Sequence, residues 1–261
     1  MIYIESLLNN NLHDRLMEGD KMKEYELKVY GEVQEWRQKI LKPSSIFNRL
    51  SKKAQNRINH VIPEKAHQMI TDAIKNMVKA TLVGSDLTTR KPNIGMTLME
   101  RDELLREKLS VYRKTATVEG AGTGAGGIFL GLADFPLLLS IKMKFLFEAG
   151  AVYGFDTKNY EERLFILHIF QLAFSSDNKR RETFYIIDNW EEQKNKLTDM
   201  DWRVFQQEYR DHIDLVKMLQ LIPGFGAIIG AYANYNLLDQ LGETAMNAYR
   251  NRILTSIPND Y

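Results

Sequence analysis

Cysteine is absent from this chain of 261 residues. That excludes disulfides, thiolate zinc sites, iron–sulfur clusters and cysteine nucleophiles. It fits a reducing compartment without requiring one. Proline is scarce, with six in all, which favours helix over turn-rich β structure. A surplus of either charge is also missing: 35 Lys and Arg face 34 Asp and Glu, for a net charge of +1. A nucleic-acid binder normally carries a larger basic excess, so nucleic acid is not an expected partner. The opening residues Met1-Ile2-Tyr3-Ile4-Glu5 lack a basic region and an apolar run long enough for a signal peptide. The expected location is therefore cytoplasmic.

Reaction motifs are missing as well. There is no Walker A sequence, no H-E-x-x-H and no G-x-S-x-G. Glu64-x-x-His67 has the spacing of a helix-bundle di-iron ligand pair, but that chemistry needs a second copy and none exists. Gly122-Thr-Gly124-Ala-Gly-Gly127 matches G-x-G-x-x-G in letters. A dinucleotide fingerprint must follow a strand, and here a charged, helix-like segment precedes it. Glu161–Glu162 and Glu191–Glu192 fall on charged helix faces and read as solvated. No catalytic residue, metal or cofactor is expected.

What is present is helical periodicity. Met22, Tyr25, Val29, Val33, Trp36 and Ile40 recur at spacings of three and four, which predicts one apolar helix face over 21–41. Further helices are expected at about 45–61, 64–82, 98–114, 136–153, 160–174, 178–197, 200–220 and 226–254. Residues 160–174 are apolar almost all round, the mark of a buried helix. Most prolines fall between these segments or in their first turns. The expectation is an all-α protein of about eight to ten helices, with two Gly-rich apolar hairpins in the core. The Gly-rich stretch at 120–127 separates an N-terminal amphipathic region, 1–119, from a C-terminal apolar region, 120–261. Together they are expected to form one compact domain.

Three segments stand out. Between Glu35 and Glu64 there is no acid but seven cations: Arg37, Lys39, Lys42, Arg49, Lys52, Lys53 and Arg57. On a helical wheel Arg49, Lys52, Lys53 and Arg57 oppose the apolar side. Such a face suits a membrane surface of anionic lipid, or else it is a surface helix whose acids lie elsewhere in the fold. The second segment holds Gly127-Ile-Phe-Leu-Gly131, a GxxxG that permits close helix packing, followed by Asp134, Pro136 and Lys142. Asp134 reads as an N-cap before Pro136, or as a membrane-depth or partner-facing carboxylate that could pair with Lys142. Lys144 and Glu148 are spaced as a surface pair. The third is 218–238, 21 residues without charge, containing Gly224, a second GxxxG from Gly226 to Gly230, and Asn234. A bilayer span needs about 20 apolar residues, but Pro223 and the polar residues here favour a buried core helix or an interfacial segment. Gly127, Gly131, Leu138 and Leu139 align without a gap on Gly226, Gly230, Leu237 and Leu238.

The run Gly126-Gly-Ile-Phe-Leu-Gly-Leu-Ala-Asp-Phe-Pro-Leu-Leu-Leu-Ser-Ile-Lys142 resembles the central signature of the EcsC-like family. So do Tyr153-Gly-Phe-Asp-Thr157 and Glu162-Arg-Leu-Phe-Ile-Leu167. The block from Ile222 to Asp239, with Leu241-Gly-Glu-Thr-Ala-Met-Asn-Ala-Tyr-Arg250, is similar to its C-terminal signature. The resemblance runs from about Glu24 to Leu254. The family is bacterial and named for a protein encoded beside an ABC transporter. The resemblance therefore implies work near transport or secretion at the membrane, and it brings no catalytic residues. The positions it marks are Gly127, Gly131, Asp134, Pro136, Lys142, Gly224, Gly226, Gly230, Asn234 and Asp239. The expected function is that of a non-enzymatic, membrane-associated accessory protein, peripheral at the inner face. Its partner is expected to be anionic lipid or a membrane protein. The alternative is a soluble helical module that binds a hydrophobic ligand or a partner helix.

Overall fold

A computed structural model describes residues 2–42, 64–84, 90–123, 135–175, 177–198 and 237–254. They form eight helices: α1 (Ile2–Leu41), α2 (Glu64–Val83), α3 (Leu98–Thr123), α4 (Phe135–Val152), α5 (Tyr160–Phe174), α6 (Asp177–Asp188), α7 (Trp190–Thr198) and α8 (Leu237–Ile253). Among the described residues there is no β-strand, and the all-α expectation holds.

The element ends follow local chemistry. At the start of α3, Thr97 Oγ1 accepts from the Glu100 amide at 3.3 Å, and Glu100 Oε2 accepts from the Thr97 amide at 2.7 Å. This reciprocal box satisfies two donors that a bare helix end leaves open. Gly84 closes α2 at φ 69° and Gly154 follows α4 at φ 92°, a region costly for residues with a Cβ. Pro136 sits in the first turn of α4, where its missing N–H costs nothing.

Several boundaries differ from expectation. α1 begins at Ile2 rather than near residue 21; Gly19 is the one glycine before that point, and a lone helical Gly costs only about 1 kcal/mol. α3 continues through the first glycines of the Gly-rich stretch to Thr123. The segment expected as one helix over 178–197 divides at Asn189 into α6 and α7. At the start of α5, Asn159 holds the N-cap position, and Thr157 before it accepts from the Arg90 amide at 2.7 Å.

α5 is the central element. It packs against α2, α4, α6, α7 and α8, and α8 in turn touches α1, α3, α4, α5 and α6. Leu164, Phe165, Ile166, Leu167, Ile169 and Phe170 are wholly buried, as the all-round apolar pattern requires. Each such side chain removed from water stabilises the fold by roughly 1.5–3 kcal/mol. The core is continuous from Val29, Val33 and Trp36 of α1 to Ala245 and Tyr249 of α8. It therefore draws on residues from both sides of position 120.

Candidate functional site

The polar centre of the molecule is built by the last turns of α8. Arg250 and Arg252 stand two residues apart and point to different neighbours. Arg250 is 3% exposed, and its Nη2 donates to Asp102 Oδ2 of α3 at 2.7 Å. Its Nε donates to the same carboxylate at 3.0 Å, so the contact is a two-point fork. Its Nη1 reaches Glu32 of α1 at 2.9 Å. Asp102 is fully buried and also accepts from Tyr25 at 2.7 Å and from Tyr153. One carboxylate therefore joins α1, α3, α8 and the end of α4.

Arg252 serves α5. Its Nη1 donates to Glu162 at 2.6 Å, and Tyr249 donates to the other oxygen of Glu162 at 2.7 Å. The guanidinium lies 4.1 Å from the centre of the Phe155 ring and 4.7 Å from that of Phe165, a desolvated cation–π arrangement. Tyr249 stacks on Tyr153 at 5.4 Å, which brings the two ion pairs side by side.

The electrostatics follow from burial. Burial raises the Glu162 carboxyl above its ordinary range, while the charge and hydrogen bond of Arg252 and the Tyr249 hydroxyl pull it back. Burial, reinforced by the adjoining carboxylates Asp102 and Glu162, lifts the hydroxyls of Tyr153 and Tyr249 far above theirs. Burial alone would lower the Arg250 guanidinium, but the bonds to Asp102 override it and the group is held more firmly protonated. These groups carry fixed charge or fixed hydrogen bonds and are enclosed.

Glu162 was expected on a solvated face; it is 4% exposed. The reason is its partner on α8, 90 residues away, which a helical wheel cannot show. Lys144 and Glu148 do not pair among the described residues. Glu148 instead meets Lys108 of α3 at 3.0 Å and Arg90 at 3.8 Å. Asp239 is an ion-pair partner of Arg113. Pro136 is exposed. The sequence did not single out Asp102, Arg250 or Arg252; the usable signal was two arginines in the last turn of an otherwise apolar-faced helix.

Lys142 is the anomaly. It is 5% exposed in α4 and makes no hydrogen bond or ion pair with any described residue. Burial depresses its ammonium to about 8. Arg49, Lys52, Lys53, Arg57, Gly127, Gly131, Asp134, Gly224, Gly226, Gly230 and Asn234 lie outside the described residues. Among the described residues no cluster of His, Asp and Glu could hold a metal ion.

The class defined here is an all-helical bundle locked by two buried arginine–carboxylate pairs, without a metal-ligand cluster among its described residues. The chain belongs to the EcsC protein family, whose model matches residues 27–254. It is 53% identical to Protein EcsC of Bacillus subtilis (strain 168) over 224 residues, covering 85% of this chain and 94% of that protein. It is 28% identical over 265 residues to the uncharacterized protein YdbA of the same organism, covering 93% and 92% of the two chains. No solved structure matches. Tyr249 and Arg250, quoted above within the C-terminal signature, are two of the side chains that build the buried centre.

Proposed function

We propose that the protein is a non-enzymatic accessory protein that binds peripherally to an anionic membrane surface and serves transport or secretion there. The observation that carries this reading is the stretch between Glu35 and Glu64, with seven cations and no acid. Arg37 and Lys39 of that stretch are already matched, to Asp188 at 2.8 Å and Glu243 at 3.2 Å. The other five, Lys42, Arg49, Lys52, Lys53 and Arg57, have no acid nearer in sequence than Glu35 or Glu64. Each basic residue near an anionic leaflet adds about 1 kcal/mol of attraction.

No helix of the described residues is long and apolar enough to cross a membrane; the proposed contact is at the surface. An apolar foothold supports it: Leu137 is 51% exposed beside the exposed Pro136 at the start of α4. The test is flotation of the purified chain with vesicles. Anionic vesicles should carry it upward at low salt; protein that stays at the bottom would sink the proposal.

A further inference from the structure

The bundle has two unlike ends. At the first lie the start of α3, the turn after α4, the start of α5 and the last turn of α8: Asp102 meets Arg250 and accepts from Tyr153, and Arg252 meets Glu162. α2 finishes there too, where Arg163 Nε donates to the Leu82 carbonyl at 3.1 Å. At the second lie the end of α1, the start of α6, the end of α5 and the start of α8. Arg180 Nε donates to the Ile40 carbonyl at 3.2 Å, Lys39 meets Glu243 at 3.2 Å, and Gln240 donates to the Ala173 carbonyl at 3.1 Å. α3 and α4 run antiparallel, Lys108 against Glu148 and Tyr112 against Phe145, so α3 ends and α4 begins at the second end. α2 packs from Ile70 to Leu82 into the core, so it starts toward the second end as well.

Chain connectivity sorts the charge between these ends. Residues 43–63 leave after Lys42 and return at Glu64, both at the second end; they carry Arg49, Lys52, Lys53 and Arg57 and no acid. Residues 124–134 join α3 to α4 there, and 218–236 lead into α8 there, with Asp134 as their single charged residue. The first end has the opposite balance. α7 runs from Trp190, beside Phe165, toward Glu161, so 199–217 set out from that end, with five acids and three cations. Residues 85–89 and 255–261 also leave from it, with one acid each and no cation. Each end has an apolar foothold: Leu41 and Leu137, 46% and 51% exposed, at the second, and Ile94, 89% exposed, at the first. Ile94 is placed by its neighbour Asn93, whose amide donates to the Ala151 carbonyl at the end of α4.

An anionic leaflet attracts a basic end and repels an acidic one. We propose that the protein docks end-on, with the end that carries Leu41, Lys42, Pro136 and Leu137 against the bilayer and the end that carries Ile94 and Lys158 pointing away. The 26 residues of α3 hold the two ends roughly 40 Å apart. This inference rests on the membrane reading above and adds the contact surface and the orientation; charge, rather than the greater exposure of Ile94, selects the end.

Because the chain has no cysteine, one introduced at an exposed position carries a unique label. Leu41→Cys, Leu137→Cys, Ile94→Cys and Lys158→Cys, each in the full chain, are coupled to a fluorophore that brightens in apolar surroundings. Each is mixed at low salt with phosphatidylglycerol-containing vesicles, with and without a quencher on the lipid chains, and floated in parallel. The labels at 41 and 137 should brighten and lose that gain to the quencher, while those at 94 and 158 should stay unchanged. Leu41→Glu/Leu137→Glu should weaken vesicle binding roughly tenfold, and Ile94→Glu should leave it as in the parent. Protein that floats while the labels at 94 or 158 respond, while those at 41 and 137 stay silent, or while Ile94→Glu weakens binding as much as the double variant overturns end-on docking and leaves the membrane reading standing. Protein that does not float overturns both.

Discussion

Arg250 and Asp102 face each other across 148 residues of sequence, joined by a buried fork with a 2.7 Å contact. Removing one member leaves the other charged and enclosed, which is the expensive way to break such a pair. Asp102→Ala should therefore cost about 3–5 kcal/mol, or roughly 10 °C in midpoint for a chain of this size. The double variant Asp102→Leu/Arg250→Met should be less destabilised than the sum of its singles. Thermal unfolding of the four-member cycle checks it; simple additivity would show that the two groups are not coupled.

Arg252 is held by shape as much as by charge. It bonds Glu162 and stacks between Phe155 and Phe165. Arg252→Lys keeps the charge and loses the planar fork and the stack. Denaturant unfolding should show a loss of about 1–2 kcal/mol. A loss near zero would mean that charge alone matters there.

Gly150 is required for packing. A Cβ there would lie 2.7 Å from the Tyr249 hydroxyl and 3.1 Å from a methyl of Thr157. Tyr249 is a rigid, fully buried ring tied to Glu162, so it cannot step aside cheaply. Gly150→Ala should destabilise by about 1–3 kcal/mol through overpacking, despite its gain in helix propensity. Gly31→Ala, with nothing near its added Cβ, is the control and should be neutral or slightly stabilising.

Lys142 sets a pH dependence with a definite sign. Its folded pKa is lowered from 10.5 to about 8. Between those values the unfolded chain binds more protons, so stability from this group rises with pH. Below about pH 8 the full penalty remains, on the order of 3 kcal/mol. Lys142→Met should therefore be more stable than the parent at pH 7, with the gap closing as pH approaches 10. Paired unfolding curves at several pH values measure it; a constant gap would contradict it.

Periodicity and punctuation located the described helices, though not all of their ends; the helices expected over 45–61 and 200–220 lie outside the described residues. The apolar run at 160–174 gave the buried α5, Pro136 falls in the first turn of α4, and Gly84 and Gly154 stand just past the ends of α2 and α4. The polar centre was not legible, for a physical reason. Arg250 and Arg252 look like ordinary cations at a helix C-terminus, where the dipole favours them. Their partners Asp102 and Glu162 sit in segments dense with other charges. Only the packing of α8 against α3 and α5 distinguishes these carboxylates from their exposed neighbours Glu103 and Glu161, the latter 45% exposed in its side chain. Lys142 was marked through the family resemblance; its burial without a partner among the described residues appears only in the structure.

The central claim is electrostatic contact with an anionic membrane, and flotation of two proteins on two vesicle types tests it most directly. The parent chain should float with phosphatidylglycerol-containing vesicles at low salt, release as salt rises, and ignore phosphatidylcholine vesicles. The variant with Arg49, Lys52, Lys53 and Arg57 all changed to Gln should lose most of that binding while keeping its helical content. Equal flotation of parent and variant, or no flotation of the parent at low salt, would contradict the account.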